Sequence, residues 1–323
     1  MEYSITNMFA EKIDENVYVK AFVKGAETEQ REFAPLVSVL MPSYNHEKYV
    51  EAAVRSVMAQ KGVPFELIVI DDGSTDSSPE ILERLHEELH FTYIRRENKG
   101  LIGTMNELLS MARGKFFCSF ASDDIMPPER LKKQSDFLSA HLQSVACFGQ
   151  IVNMSAEGVV ERKVDERFLR NGTSVSFEEL FLAKKSLHGC SEMFLRQKVV
   201  ELGGYDSRYF FEDLPLYLKI LYNCGPQPVS PDIVCCFYRE HGSNIHLQND
   251  RIYTEILQML KDNFSHHRLY DEAVRCWKSN WFSALADQNK IKAVKMLPKL
   301  ANMSWSFVRR FPKLFIPKAF LPY

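Results

Sequence analysis

Three apolar runs of this chain each end abruptly in polar residues, and this constrains the fold more than any other feature. The runs are Leu36–Met41, Leu67–Ile70 and Phe116–Phe120, each of strand length. They are followed, in order, by Pro42-Ser43-Tyr44-Asn45, Asp71-Asp72-Gly73-Ser74 and Ala121-Ser122-Asp123-Asp124. Strands of an open α/β sheet bring their carboxyl ends to one crevice, where ligands bind. The pattern therefore predicts an acidic site at one edge of a sheet.

Amphipathic helices alternate with these strands. Apolar spacing predicts a helix over Glu47–Gln60, and Ser78-Pro79 supplies an N-cap and a first-turn proline for a second. Further helices are predicted over Gly103–Ala112 and Glu129–His141, before a strand near Val145–Val152. The alternation predicts an α/β, Rossmann-like fold with a mainly parallel central sheet flanked by helices. No G-x-G-x-x-G or P-loop motif follows a strand, which disfavours dinucleotide and P-loop sites.

Charge divides the chain unevenly. The net charge of −2 combines an acidic body with a basic segment, Lys290–Tyr323, which has eight Lys/Arg and no Asp/Glu. We therefore divide the chain into an N-terminal extension of unknown role (1–34), an α/β domain (35–248) and a C-terminal helical, basic and aromatic appendage (249–323).

The composition also bears on the cellular compartment. Met1–Ile5 has no basic region followed by an apolar run, and no run of about 20 apolar residues occurs, so we expect neither a signal peptide nor a membrane span. The seven cysteines form no C-x-x-C pair, which indicates reduced thiols in a cytoplasmic protein and disfavours zinc. Nothing indicates nucleic acid binding.

The acidic turns admit two interpretations. Carboxylates such as Asp123 and Asp124, at the end of a strand, can hold a sugar hydroxyl or a magnesium or manganese ion that carries a diphosphate. They can also simply cap the next turn, since Asp is a common turn residue. The same alternatives apply to Asp71 and Asp72.

Two later segments contribute further candidate groups. Glu212 and Asp213 open a predicted helix after an aromatic run, where they could cap the helix or, in a partly dry crevice, provide a general base. Arg239 and His241 follow a predicted strand. The arginine could clamp a phosphate and the histidine could complete a metal site, although a lone histidine is more often a surface residue.

Together these segments resemble the family 2 glycosyltransferases, which have the GT-A fold, and in particular bacterial surface-polysaccharide transferases of the O-antigen or capsule type. The matching stretches are Val37–Asn45, Leu67–Ser74, Glu97–Gly100, Ala112–Asp124, Phe211–Leu214 and Tyr238–Asn244. The resemblance implies an inverting, metal-dependent enzyme that moves a hexosyl or N-acetylhexosaminyl group from a nucleotide-sugar, preferably a UDP-sugar, to a glycan hydroxyl.

The resemblance also implies a role for each matched position on the donor side. The nucleotide-sugar would be bound by Pro42, Ser43, Tyr44, Asn45, Asp71, Asp72, Gly100, Asp123 and Arg239. Within this set, Asp72 would read the base edge, Asp123 would hold the ribose or the sugar, and Arg239 would lie near the diphosphate.

The remaining roles concern the metal and the acceptor. By resemblance, Asp124 and His241 would bind Mn²⁺ or Mg²⁺, Asp213 would be the catalytic base, and Glu212 would orient the acceptor or the donor. An acceptor loop would contain His188 and Gly189.

Two positions depart from the family pattern. Ala121 stands where the family often has Asp, a change that leaves metal binding intact. Met105-Asn106 stands where the family often has Arg-Asn, which puts in doubt any contact from that helix to the donor.

The C-terminal segment bears on the acceptor. Its basic residues alternate with aromatic and aliphatic ones, a composition typical of an interfacial helix on anionic lipid and equally of a terminal helix packed on its domain. We expect a glycan or lipid-linked saccharide acceptor and a cytoplasmic enzyme, peripheral on the inner face of the membrane through this tail. A homo-oligomer is left open.

Two alternative functions compete with this interpretation. A catalytically silent nucleotide-sugar-binding subunit of a glycan synthase complex is disfavoured because Asp124, Asp213 and His241 are all present. A nucleotidyltransferase is disfavoured because the usual Gly-rich loop bearing Arg and Lys is absent near the N-terminus.

Overall fold

The computed structural model of the protein describes residues 35–164, 172–242 and 249–296. The predicted N-terminal extension and most of the basic tail lie outside these residues. Among the helices described, none is long and apolar enough to cross a membrane.

The first half of the domain alternates strands and helices, as predicted. Its elements are β1 (Val37–Ser43), α1 (Val50–Met58), β2 (Phe65–Asp72), α2 (Ser78–Leu89), β3 (Thr92–Arg96), α3 (Leu101–Met111) and β4 (Phe116–Ser119). The strands pair in parallel in the order β3-β2-β1-β4. Pro79 lies in the first turn of α2, and Gly100 precedes α3 with φ +78°, a backbone conformation that favours glycine.

The second half is more mixed than the sequence predicts. Its elements are α4 (Arg130–Ala140), β5 (Ala146–Met154), β6 (Val160–Val164), β7 (Ser174–Val175), α5 (Phe177–Phe181), β8 (Glu192–Leu195), α6 (Arg196–Glu201), α7 (Asp213–Cys224) and β9 (Gln227–Arg239). The described sheet continues β4-β8-β5-β9-β7, with β8 antiparallel to both neighbours and β6 paired with β5. The α/β class is confirmed: β3-β2-β1-β4 and the pair β5-β9 are parallel, whereas β6, β7 and β8 pair antiparallel with their neighbours.

The core explains why the first strands are apolar on both faces. Apolar side chains of β1, β2 and β4 pack with α1, α2 and α4 into one buried cluster, in which Val39 and Phe120 are fully inaccessible. Helices cover parallel sheets, so such strands read as continuous apolar runs. Their polar carboxyl ends are thereby left at the edge of the core.

The chain divides into two compact units. The first comprises Met1–Phe177 and Ser186–His241, and the second Glu178–Lys185 and Gly242–Tyr323. In the second unit, α8 (Asn249–Phe264), α9 (Tyr270–Gln288) and α10 (Lys290–Met296) are helices, as the sequence predicts for this region. The boundaries 34/35 and 248/249 stay predictions.

Candidate active site

Neighbouring strand ends form the floor of the candidate site. Ser43, at the end of β1, is paired with Asp71 at the end of β2. The Ser43 hydroxyl oxygen is buried and has no hydrogen-bond partner in the described part of the chain. Tyr44 follows and is half exposed, at 47%. Because buried polar atoms are normally paired, Ser43 is a candidate for contact with a ligand.

Several of the predicted nucleotide residues hold the turn after β2 in place. Asp71 accepts from the backbone N–H of Ser74 at 2.9 Å and lies 2.5 Å from its hydroxyl. The Asn45 N–H donates to the Ser74 hydroxyl, and the Asn45 side-chain oxygen accepts from the Thr75 N–H. Asp71 and Asn45 therefore hold the backbone of this turn in place.

Asp72 is buried and contacts the loop after β3. Its Oδ1 atom accepts from the guanidinium of Arg96 and from the Lys99 N–H at 2.8 Å. The Gly100 N–H donates to the side chain of Asn98 in the same loop. Arg96 was missed by the sequence analysis, because its contact with Asp72 joins two different strand ends.

The acidic turn after β4 meets two histidines. Asp123 Oδ2 lies 2.8 Å from His241 Nε2 and 3.7 Å from His46 Nε2, and the other ring nitrogen of His46 lies 2.8 Å from the Ser122 hydroxyl. Ligand atoms of His46, Asp123 and His241 all lie within 4.8 Å of one another. We call these three residues the His–Asp cluster.

The electrostatics of the cluster favour an ionised Asp123 carboxylate. Burial by itself raises the pKa of Asp123, but the hydrogen bond from His241 and the charges of both imidazoles outweigh it, so the pKa is lowered. Burial also lowers the pKa of His46, against the opposing effect of Asp123. One anionic oxygen and two imidazole nitrogens are a donor set that suits a transition-metal ion.

The structure pairs His241 with Asp123, whereas the sequence pairs it with Asp124. Asp124 is 1% exposed, and its Oδ1 accepts from the Arg239 N–H at 2.8 Å. Its ligand atoms lie near those of Cys190 and Cys236. Burial, and then the charge of Asp123, raises the pKa of Asp124. The assignment of Asp124 as a metal ligand stays a prediction, and the geometry offers Asp123 in its place.

Arg239 is inside the protein, below the acidic turn. Its Nε donates to the Asp123 carbonyl at 2.7 Å and its Nη1 to the Ala156 carbonyl at 3.0 Å. The guanidinium lies 4.8 Å from the ring centre of Tyr49, and that ring stacks on His241. The observed contacts are those of a residue that supports the turn, and its role at the diphosphate stays a prediction.

Glu212 and Asp213 lie at the start of α7, as predicted. The Leu214 N–H donates to Asp213 Oδ1 at 2.6 Å. Burial raises the pKa of Asp213, and burial together with the charge of Asp213 raises that of Glu212 to about 8. A carboxylate with a raised pKa is a stronger base than an ordinary one.

The predicted acceptor loop lies directly against these carboxyl groups. A side chain at Gly189 would place its Cβ 3.4 Å from Asp213 Oδ2 and 3.7 Å from Glu212 Oε1. The next residue, Cys190, lies at Asp124 in the acidic turn. The loop therefore connects the two carboxyl pairs of the site, and a side chain at 189 would be in van der Waals contact with Asp213.

The sequence analysis missed His46, Ser122 and Glu192. A signal for His46 was present, since it directly follows Asn45 at the end of a strand that carries other site residues. Glu192 lies in β8, a strand of only four residues that the apolar pattern does not reveal.

Comparison with known proteins is consistent across sequence and structure. The family described as Glycosyl transferase family 2 matches residues 38–203. TuaG of Bacillus subtilis, whose name describes a teichuronic acid biosynthesis glycosyltransferase, is 31% identical over 193 residues, which are 58% of this chain and 72% of TuaG. An uncharacterized glycosyltransferase of Rickettsia typhi is 26% identical over 196 residues, 59% of this chain and 60% of that protein.

Solved structures share the fold. Staphylococcus aureus TarS in complex with UDP-GlcNAc has a TM-score of 0.61 at 19% identity, over 86% of this chain and 81% of that one. A mannosyltransferase of Pyrobaculum calidifontis in complex with GDP-Man and Mn²⁺ has a TM-score of 0.55 at 18% identity, over 94% and 92% of the two chains.

Proposed function

Because this chain belongs to glycosyl transferase family 2, we propose that it transfers a sugar from a UDP-sugar to a hydroxyl group of a glycan, with inversion at the anomeric carbon. The observation that carries the proposal is that the His–Asp cluster and the carboxyl groups of Glu212 and Asp213 lie in one unit, joined by the loop that contains Gly189. The His–Asp cluster suits a cation, and Asp213 at the start of α7 suits a general base.

The proposal of a cation site rests on the chemistry of the three candidate ligand groups. We propose that Asp123, His241 and His46 hold a divalent ion, and that Mn²⁺ is preferred over Mg²⁺, because magnesium favours all-oxygen sites whereas imidazole suits transition metals. When bound, such an ion supplies positive charge that stabilises a leaving diphosphate.

In the transfer step, Asp213 and Glu212, at the start of α7, have different roles. Asp213 takes the proton of the acceptor hydroxyl while that oxygen forms a bond to the anomeric carbon from the face opposite the diphosphate. The bond between the anomeric carbon and the diphosphate oxygen breaks, and UDP leaves with the bonding electron pair. Oδ1 of Asp213 is held by the Leu214 N–H, and Oδ2 is the oxygen nearest Gly189. Glu212 orients the acceptor beside it.

The relatives support the substrate classes. TarS has been solved with UDP and with UDP-GlcNAc, which supports a UDP-hexose or UDP-N-acetylhexosamine donor here. The name of TuaG supports a role in surface polysaccharide synthesis. We therefore propose a lipid-linked glycan acceptor at the cytoplasmic face of the membrane.

A thermal-shift panel tests the donor site. UDP, GDP, dTDP and CDP are each added with Mn²⁺ and then with EDTA. We expect UDP to stabilise the protein only with Mn²⁺, by about 2.7 kcal/mol at a hundredfold excess over its dissociation constant. A shift with another nucleotide would overturn the UDP assignment, and no shift with any nucleotide would overturn the proposed function.

Membrane association through the tail has its own test. Lys290 and Lys295 belong to α10, which packs on α9 through Ala293, while Lys292 pairs with Asp250. A chain ending at Met296 retains that packing and lacks the rest of the tail. We expect the full chain to sediment with anionic vesicles and the shortened chain to remain in the supernatant; equal sedimentation would refute the role of the tail.

A further inference from the structure

Glu192 is a carboxyl group enclosed in the sheet, and none of the roles above uses it. It lies on β8, between β4 and β5, and is 1% exposed. A carboxyl group in such surroundings costs free energy unless its oxygens are hydrogen-bonded. Oε1 contacts the hydroxyl of Ser119, and Oε2 lies 3.2 Å from the hydroxyl of Tyr217.

The same two hydroxyl groups reach the predicted acceptor loop. Ser119 Oγ lies 3.1 Å from the Gly189 carbonyl oxygen, and the Tyr217 hydroxyl lies 3.3 Å from the His188 carbonyl oxygen. Ser119 and Tyr217 come from β4 and α7, so two elements reach the loop through groups that Glu192 also contacts. The loop in turn places Gly189 against Asp213.

Counting protons shows which form of Glu192 holds the loop. A serine or tyrosine hydroxyl donates one proton, and an ionised carboxylate only accepts. If Glu192 is ionised, Ser119 and Tyr217 both donate to it, and neither donates to a loop carbonyl. If Glu192 carries a proton, it donates to Ser119. Ser119 then donates to Gly189, and Tyr217 can donate to His188.

The surroundings make the protonated form accessible near neutral pH. Burial raises the pKa of Glu192 to about 7, against hydrogen bonding by Ser119 and the charge of Arg130. Arg130, on α4, donates to the backbone carbonyl of Glu192 at 3.1 Å, and the described residues contain no ion pair between its guanidinium and the Glu192 carboxyl. Glu212 faces the same region from the start of α7.

Other titratable groups lie nearby: His188 is in the loop itself, Asp213 lies against the loop, and several thiols and phenols surround Glu192. The thiols and phenols are those of Cys118, Cys190, Cys235, Tyr205 and Tyr217. The pKa of each is raised above its ordinary value, so these groups stay neutral around pH 7. Of the thiols, phenols and carboxyl groups around Glu192, the carboxyl groups of Glu192 and Glu212 are therefore the ones that titrate near neutral pH.

We propose that Glu192 is a positioning residue whose neutral carboxyl group, through Ser119 and Tyr217, holds the His188–Gly189 backbone against Asp213. The inference rests on the proposed function, since it takes Asp213 to be the base that receives the acceptor. Glu192 thereby orders the backbone on the acceptor side of the site.

Hydrogen–deuterium exchange of the segment 186–191 tests this without donor or acceptor. The wild type, Glu192→Gln, Glu192→Met and Ser119→Ala are compared at about pH 6 and about pH 8, on either side of the Glu192 titration and corrected for intrinsic exchange. Ser135→Ala is the matched control, because Ser135 is a buried serine whose hydroxyl donates within α4, to the Lys132 carbonyl.

We expect wild-type exchange in the segment to be about fivefold slower at the lower pH, the change in open population that one lost hydrogen bond produces. Glu192→Gln, which is neutral and still donates, should match the low-pH wild type at both pH values. Glu192→Met and Ser119→Ala should exchange fast at both, and Ser135→Ala should follow the wild type.

Equal exchange of the wild type, Ser119→Ala and Glu192→Met at both pH values would overturn the proposal. If a Glu192 variant fails to fold, the pH dependence of the wild type and its loss in Ser119→Ala decide the matter. UDP binding with Mn²⁺ should be unchanged in Ser119→Ala. Absence of UDP binding in the wild type would instead refute the proposed function, whatever the exchange result.

Discussion

Replacing Arg239 by methionine tests whether this side chain supports the acidic turn or binds the donor. The side chain is 1% exposed and donates to the carbonyl groups of Asp123 and Ala156, with its guanidinium above the ring of Tyr49. Methionine fills much of the same space but donates no hydrogen bond. Both carbonyl groups would then lose this donor.

The magnitude follows from these contacts. A hydrogen bond from a charged donor contributes about 1.5–3 kcal/mol, and a cation–π contact about 0.5–2 kcal/mol. The methionine recovers part of this through apolar burial. We therefore expect the free energy of unfolding to fall by about 3–5 kcal/mol, which lowers Tm by about 10 °C. Arg239→Lys keeps the charge without the planar fork and should lose about half as much.

Urea unfolding followed by circular dichroism, with UDP binding measured on the folded protein, separates the two roles of Arg239. Arg84→Met is the control, because the Arg84 side chain is 53% exposed and pairs with Glu51 at the surface, so its loss should change stability by less than about 1 kcal/mol. An unchanged unfolding midpoint for Arg239→Met, together with weakened UDP binding, would refute the supporting role and identify a phosphate ligand.

Three further perturbations concern the two acidic groupings. Asp213→Asn should keep the UDP-dependent thermal shift and lower turnover by roughly 10²-fold or more, and normal turnover with both substrates saturating would exclude Asp213 as the base. The pKa of Glu212 is raised from 4.5 to about 8, so the native state holds a proton that the unfolded state releases, and stability falls as the pH rises through this window. Glu212→Gln should flatten that part of the stability profile; an unchanged slope would contradict the raised pKa. His46→Ala and His241→Ala should each weaken Mn²⁺ binding, followed by electron paramagnetic resonance, by at least about tenfold, whereas the exposed His266→Ala should not; equal affinities would exclude the His–Asp cluster as the metal site.

The sequence predicts the gathering of strand ends well, because that feature is local. An apolar run followed by Pro42, Asp71 or Asp123 marks both the strand and its end, and parallel pairing then brings the ends together. The short strand β8 carries little local signal, since its placement depends on pairing with β4 and β5. The pattern accordingly does not reveal the antiparallel strand in the middle of the sheet.

The sequence pattern does not predict which side chains contact each other in the site. His241 pairs with Asp123, 118 residues away, and the choice between Asp123 and Asp124 depends on which carboxyl group faces the histidines. Arg239 lies after a strand in the position of a phosphate ligand, yet its guanidinium donates to backbone 116 and 83 residues distant. A type of residue at a strand end thus predicts a site, whereas its task depends on contacts that form only in the folded chain.

The site contains two pairs of adjacent carboxyl groups, and the same physical device separates the members of each pair. Burial and the neighbouring charge raise the pKa of Asp124, while the imidazoles lower that of Asp123. At α7, burial raises both pKa values, and the charge of Asp213 raises that of Glu212 further. Two like charges side by side disfavour each other, so keeping one member neutral lets the other ionise. The neutral member can then donate or orient, and the ionised one can hold a cation or take a proton.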